Sequence, residues 1–335
     1  MGREVLVLRE AEVRSAIDMP TCMDAVERAF AAYSSGAAEL PGVIHLDVPE
    51  RGGEVHIKAG HVHGESFYAA KFASGFSDPS LGTPATDGMV VVFDASNGAP
   101  AALLLDNGYL TDLRTGAAGG VAARWLAPQR VEVVAVIGTG GQVRHQLEAL
   151  SVARPGYSEV RVWGRNIERA SASVEMLRAR PGVTEGASFE TAETVRAAVD
   201  EADVVITCTA SRDPLVRAAW LAPGAHVTAL GSDGVGKQEL DPDVLGRADV
   251  VAVDSRDQCA RLGELQHALA AGIVGDPGTD VVELGEIVSG LAGGRAGEGQ
   301  RTVCDLTGVG VQDVAAAIVV MDAAAREGLG GRIAI

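Results

Sequence analysis

The run Val133-Val134-Ala135-Val136-Ile137 passes directly into Gly138-Thr139-Gly140-Gly141-Gln142-Val143. Five consecutive apolar residues, four of them β-branched, predict a short strand buried on both faces, which belongs in a parallel sheet. Gly138 permits a tight turn after it. Gly140 lets the backbone approach a pyrophosphate seated on the N-terminus of the helix predicted over 142–153, and Thr139, Gly141 and Gln142 complete the cradle. The third motif position is Val143 rather than Gly or Ala, which crowds the helix against the strand. A glycine triplet alone is a weak signal. In this strand–turn–helix setting it reads as a dinucleotide-binding unit rather than a plain βα turn.

After residue 130 the pattern alternates: strands at 159–163, 203–209, 226–230 and 249–253, with a helix at 166–179. That alternation predicts an α/β, doubly wound Rossmann sheet. The chain before it reads differently. A helix spans 21–35, with Met23, Val26, Phe30 and Tyr33 on one face, Thr21 and Asp24 resembling a capping box, and Gly36 as its stop. Strands follow at 43–48, 54–58, 68–73, 88–94 and 101–106, with turns at Glu50-Arg51-Gly52-Gly53 and Asn97-Gly98. A helix over 110–126 ends at Pro128, and a last one spans 312–327. The expected organisation is a dinucleotide-binding domain at 128–307 and an α+β substrate-binding and dimerisation domain at 1–127 with 308–335. A length of 335 residues suits two domains.

About twenty residues past the glycine loop, the second strand ends in Trp163-Gly164-Arg165-Asn166. An acidic residue there would take the ribose 2′-hydroxyl of NAD. Arg165 instead suits a 2′-phosphate, so NADP(H) is favoured over NAD(H).

The formal charge of −17 argues against nucleic acid and anionic membranes as partners. No apolar run approaches the roughly 18 residues of a membrane span. Four cysteines without CxxC spacing read as free thiols in a reducing, cytoplasmic setting. His56, His61 and His63 lie close together, but no carboxylate or thiol pattern completes a metal site, and none is expected.

Together these features resemble the ornithine cyclodeaminase/μ-crystallin family over nearly the whole chain. The stretches that carry the likeness are the glycine loop, Leu105-Asp106-Asn107-Gly108-Tyr109-Leu110-Thr111-Asp112-Leu113-Arg114-Thr115-Gly116-Ala117-Ala118, and Gly231-Ser232-Asp233-Gly234-Val235-Gly236-Lys237-Gln238-Glu239-Leu240. The segment from His45 to Lys58 looks most like the ectoine-utilisation branch. The resemblance implies a homodimer acting on a small amino or imino acid at its Cα. It implies that Lys71 and Arg114 bind the substrate carboxylate, with Lys71 also able to move a proton. It implies that Asp233 handles a proton or positions water, that Thr86 and Glu54 lie on the substrate side, and that Thr115 lies on the cofactor side. The family's arginine two residues after the proline matched by Pro41 is here Val43. His45, or Lys58 on the next strand, could supply the missing cation.

Three readings of function remain open at this point. One is a net oxidoreductase, that is an imine or ketimine reductase or an amino acid dehydrogenase. The second is a cyclodeaminase that eliminates ammonia from a diamino acid such as ornithine. The third is a non-catalytic, NADP-dependent binder. Arg165 favours the first; Glu54 and Asp233 favour the second; Asp233 argues against the third.

Overall fold

The computed structural model describes residues 3–76, 86–179 and 186–335. Pro84 and Ala85, which precede Thr86 in the chain, lie outside the described residues. The chain divides into two compact units, Met1–Arg114 with Val309–Ile335, and Thr115–Gly308. The first boundary falls inside a helix (Tyr109–Leu126, α3) rather than at the Pro128 break. The physical reason is close packing within the second unit. A Cβ on Gly116 would lie 2.8 Å from the His145 backbone oxygen, and one on Gly119 would overlap the Gln146 side chain, so the later turns of α3 belong with that unit.

The first unit is a mixed sheet carrying helices. Its strands are β1 (Glu4–Arg9), β2 (Ala38–Glu39), β3 (Ile44–Val48), β4 (Gly53–Val62), β5 (Phe67–Phe76), β6 (Thr86–Asp94), β7 (Pro100–Leu105) and β16 (Gly331–Ala334). They run in the order β16-β1-β7-β6-β5-β4-β2, with β3 paired to β4. The antiparallel meander from β3 to β7 follows the alternation of the sequence. The pairing of β1 with β7 is parallel and spans most of the unit, which local periodicity does not reveal. Helix α2 (Met19–Ser34) buries Met23, Val26, Ala29 and Phe30 against helix α12 (Gly310–Glu327). Its start corrects the expected capping box. Asp18, not Thr21, is the cap, and its carboxylate accepts the Thr21 N–H at 2.9 Å. The helix thus begins two residues earlier, at Met19, with Pro20 in its first turn.

The second unit is a parallel sheet of eight strands: β8 (Val133–Ile137), β9 (Glu159–Trp163), β10 (Ser188–Thr191), β11 (Val204–Thr207), β12 (His226–Ala229), β13 (Val250–Val253), β14 (Val282–Glu283) and β15 (Thr302–Asp305). The order β10-β9-β8-β11-β12-β15-β13-β14 places β8 between β9 and β11, where the winding reverses. Strands β10, β14 and β15 give no sequence signal. They are two to four residues long, and β15 is a fully buried strand that carries Thr302 and Asp305. The four cysteines are free. Among the described residues no helix is long and apolar enough to cross a membrane.

Buried acids tie this sheet to its connections. Glu239 accepts from Thr207 Oγ1 (2.8 Å), Thr209 Oγ1 (2.7 Å) and the Gly231 N–H (2.8 Å), which binds the ends of β11 and β12 together. Glu264 accepts the Glu239 and Leu240 N–H groups, and Asp305 accepts that of Leu265. Burial pushes Glu264 up to about 9, reinforced by the nearby Asp305, and raises Glu239 and Asp305 to about 7. Acids raised above their unfolded values bind more protons when folded. Their contribution is therefore fully present below the ordinary carboxyl range and is lost as pH rises toward 9. Thermal unfolding followed from pH 5 to pH 9 should show a fall in Tm on the order of 5 °C or more. Glu264→Gln, which has no proton to lose, should flatten the upper half of that profile. An unchanged profile in the variant would remove Glu264 from this account.

Candidate functional site

Each unit carries candidate functional residues of its own, and strand pairing sets the geometry of those in the first. Lys58 on β4 lies opposite Lys71 on β5, so both side chains leave the same sheet face. The adjacent pair on that face, Gly60 with Ala69, receives the N-terminus of α12: a Cβ on Gly60 would lie 3.2 Å from the Gly310 backbone. This close approach brings the first turn of α12 over Lys71. Asp313 Oδ1 lies 3.1 Å from Lys71 Nζ and 2.8 Å from Arg114 Nε. Arg114 also donates to Gln312 Oε1 at 2.7 Å. Arg114 itself is set by the signature stretch before it. Asn107 and Gly108 adopt left-handed conformations, and buried Asp106 accepts the Leu110 N–H at 2.7 Å, which starts α3 in register.

Lys58, Lys71, Arg114, Gln312 and Asp313 are all buried. Burial and the neighbouring Arg114 lower Lys71 to about 7, against the pull of Asp313. Burial opposes ionisation of Asp313, but Arg114, Lys71 and Lys58 outweigh it and hold the carboxyl below its usual range. Asp313 Oδ2 and Gln312 Nε2 are buried without a protein hydrogen-bond partner among the described residues. Three buried cations therefore gather at one buried carboxylate, with polar atoms in reserve. Such an arrangement can accept a further small anion.

The other substrate-side residues are placed less centrally. His45 is exposed, 3.0 Å from Asp47 Oδ1, and its ring meets that of His56 edge-on at 4.7 Å. Of the two candidates to replace the family arginine, Lys58 is the one in the buried cluster. Val43 is half-buried just before β3. Glu54 and Thr86 each pair with Gly75, on the same face but two rows from Lys71. Asp313 and Gln312 were missed as site residues by the sequence reading. The stretch Thr307–Asp313 resembles the family as a glycine-rich segment that closes over a nicotinamide or starts a helix, and neither expectation points to the cluster with Lys71 and Arg114.

In the second unit, β8, Gly138 and α4 (Gln142–Ala153) take the predicted form. Gly138 has φ +145°, and a Cβ there would fall 2.6 Å from Cys208 Sγ and 2.9 Å from the Cys208 carbonyl oxygen. Gly140 has open space around it. Helix α4 has Gly141 as its cap residue and no side-chain cap, and its Val143 N–H turns back to the Gly140 carbonyl at 3.2 Å. Val143 is buried without disturbing the loop. Thr139 packs on Gly164, where a Cβ would lie 2.4 Å from Thr139 Cγ2. Arg165 is exposed at the end of β9, and Asn166 caps the next helix through the Arg169 N–H. The Thr115 carbonyl accepts from Gln146 Nε2 at 2.9 Å. Asp233 follows β12, half-buried, and accepts from Lys237 Nζ at 2.8 Å. Asp254 accepts the Thr307 and Gly308 N–H groups at 2.9 and 2.6 Å and fixes that turn. The bare loop, the cradle a side chain would fill, and the strand ends around it fit a dinucleotide. Among the described residues no group of His, Cys, Asp and Glu converges as a metal site requires.

A parallel sheet with a dinucleotide-type loop in one unit, and a mixed sheet with a buried cationic cluster in the other, are features of an NAD(P)-dependent enzyme. The chain belongs to the ornithine cyclodeaminase/mu-crystallin family, whose pattern it matches over residues 3–328. It is 42% identical to an uncharacterized cyclodeaminase of Sinorhizobium fredii, over 97% of each chain. Among solved structures it is similar to an archaeal alanine dehydrogenase dimer with bound NAD (TM-score 0.89, 34% identity, 99% of each chain covered). It is also similar to the Δ1-pyrroline-2-carboxylate reductase of Thermococcus litoralis in complex with NADH and L-proline (TM-score 0.90, 27% identity, 98% of this chain and all of that one). The expected family, fold class and enzyme class are thereby borne out.

Gly138→Ala tests the cradle. The new methyl meets the Cys208 backbone as well as its thiol, so Cys208→Ala cannot relieve it. NADH or NADPH binding, read by nucleotide fluorescence, should weaken at least tenfold in both Gly138→Ala and the double variant. Full recovery in the double variant would show that only the thiol was in the way.

Proposed function

We propose that this enzyme transfers a hydride at the Cα of a small α-amino or imino acid, as an imine or ketimine reductase or an amino acid dehydrogenase. The observation that carries the reading is the buried cluster of Lys58, Lys71 and Arg114 around Asp313. Desolvated cations of this kind are costly unless an anion completes them. A substrate α-carboxylate is a fitting anion, with Arg114 as a fork, Lys71 as a movable charge, and Lys58 in the role of the arginine replaced by Val43. Asp313 keeps Lys71 and Arg114 oriented before substrate arrives, which lowers the cost of ordering them. When bound at the Gly138–Gln142 loop, a nicotinamide supplies or accepts the hydride. Asp233 is the residue we assign to proton handling or to a water, with Lys237 holding its carboxylate in place. Arg165, in the absence of an acid at the end of β9, supports NADP(H) over NAD(H).

The retained Asp233, together with Glu54, supports a second reading: a cyclodeaminase that releases ammonia and regenerates its cofactor. Absorbance of the reduced nicotinamide separates the two. Stoichiometric consumption of NADPH or NADH with cyclic imino acids, or with 2-oxo acids plus amines, supports the reductase. Ammonia release from a diamino acid at catalytic cofactor, without net consumption, supports the lyase.

Lys71→Met should abolish turnover and leave dinucleotide affinity within about twofold. Lys58→Met should raise KM by on the order of tenfold or more, consistent with loss of one charge-assisted contact. Carboxylate binding needs Lys71 protonated, so kcat/KM in the wild type should fall as pH rises through about 7. Normal KM in Lys58→Met would return the role to His45.

We further propose a homodimer. On the sheet face opposite Lys71, Ile44, Ile57, Phe72 and Met89 pair in one row across β3 to β6. Ile44 is 58% exposed, and Phe72, Met89 and Leu105 are each more than a third exposed. A continuous apolar strip of this kind marks an interaction surface, and the related alanine dehydrogenase structure is a dimer. Light scattering should report twice the 34.4 kDa chain mass. Phe72→Glu should shift it toward monomer, and a dimer unaffected by that change would place the interface elsewhere.

A further inference from the structure

The turn that carries Asp233 has little apolar packing of its own. Val235 at its tip is 75% exposed, and the Asp233 side chain is 41% exposed. Hydrogen bonds close it instead. The Lys237 N–H donates to the Gly234 carbonyl at 3.1 Å, and Gly236 takes a left-handed conformation (φ +72°). The Lys237 carbonyl accepts from Ser232 Oγ at 2.7 Å and from His267 Nε2 at 2.8 Å. A carbonyl oxygen can only accept, so Nε2 of His267 carries the proton, and both lone pairs of that oxygen are used. The Lys237 side chain then reaches back four residues to Asp233 Oδ1 at 2.8 Å. Where the carboxylate stands is thus set by where the Lys237 backbone stands. His267 acts from a fixed base. It lies in the short helix Leu265–Ala270, and the residue before that helix, Glu264, is buried and accepts the Glu239 and Leu240 N–H groups at 2.7 and 3.1 Å. Residues 264–267 therefore grip 237–240 at three backbone groups, one carbonyl and two N–H. Glu239 in turn accepts the Gly231 N–H, just ahead of the turn. The foot of the turn is buried and pinned; Asp233 stands at its open end.

We infer that His267 is a positioning residue for the reaction: by donating to the Lys237 carbonyl it holds the Lys237–Asp233 pair where Asp233 moves a proton or holds a water. The inference rests on the role proposed for Asp233. His267 changes the rate only through Asp233, with no contact of its own to substrate or cofactor. Ser232 donates to the same carbonyl, but its single hydroxyl hydrogen also has the Leu262 carbonyl within 3.4 Å, so it does not replace the imidazole. Without the imidazole N–H, one lone pair of a carbonyl at the foot of the turn loses its donor, and the exposed end has no apolar contact to keep its shape.

The test is a mutant cycle on the full chain. The assays are reduction of Δ1-pyrroline-2-carboxylate by NADH and by NADPH, and ammonia release from L-ornithine at catalytic NAD+ or NADP+. Asp233→Asn should lower kcat on the order of a hundredfold. His267→Leu should lower kcat on the order of tenfold, with KM and NADH affinity within about twofold of the wild type. His267→Gln, whose side-chain amide N–H can take the place of Nε2–H, should recover most of that loss. In the Asp233→Asn background His267→Leu should cost no further activity, because the two residues act as one unit. Amide exchange at residues 233–237 should quicken in His267→Leu and not in His267→Gln. Equal falls in both backgrounds, or a His267→Leu enzyme with a lower Tm and unchanged kcat, overturn the inference and leave Asp233 its role. So does a turn that exchanges alike in all three proteins, whatever the substrate. Full activity in Asp233→Asn removes the role of Asp233 and this inference with it.

Discussion

Asp313 is the group on which the first unit depends. Lys71 and Arg114 are almost wholly withdrawn from water, Lys58 nearly so, and charges in such surroundings are stable only when other charges compensate them. Asp313 supplies that compensation for Lys71 and Arg114 directly, at 3.1 and 2.8 Å. It also fixes where the last long helix begins. The glycine pair Gly60 and Gly310 permits the close approach, and the ion cluster rewards it. One polar cluster thus anchors helix α12 to the sheet.

The dinucleotide part rests on a steric constraint instead. Gly138 stands where β8 and β11 part, and the Cys208 carbonyl leaves no room for a side chain. Gly141 then caps the start of α4 without a side chain. Behind the strand ends, Glu239 and Glu264 hold β11, β12 and the connection after β12 in one arrangement. Those carboxyls are costly to ionise in the interior, which gives this unit a preference for the protonated, lower-pH state.

The amino-acid sequence determined the parts whose signal is local. The strand from Val133 to Ile137, the loop after it and helix 142–153 follow from one contiguous stretch, as do the meander strands and the turn before α3. Lys71 and Arg114 could be singled out as candidates because their motifs are contiguous too. Tertiary structure alone decided what meets at a distance. Gln312 and Asp313 reach Arg114 across 198 positions of chain in the case of Gln312. Strand β15 inserts between β12 and β13 although its four residues, two of them the buried polar Thr302 and Asp305, carry no clear strand pattern. Alternation puts Lys58 and His45 on one face, and only packing shows that Lys58 is the one withdrawn from water. Periodicity encodes which way a side chain points; it does not encode which distant side chain it will find.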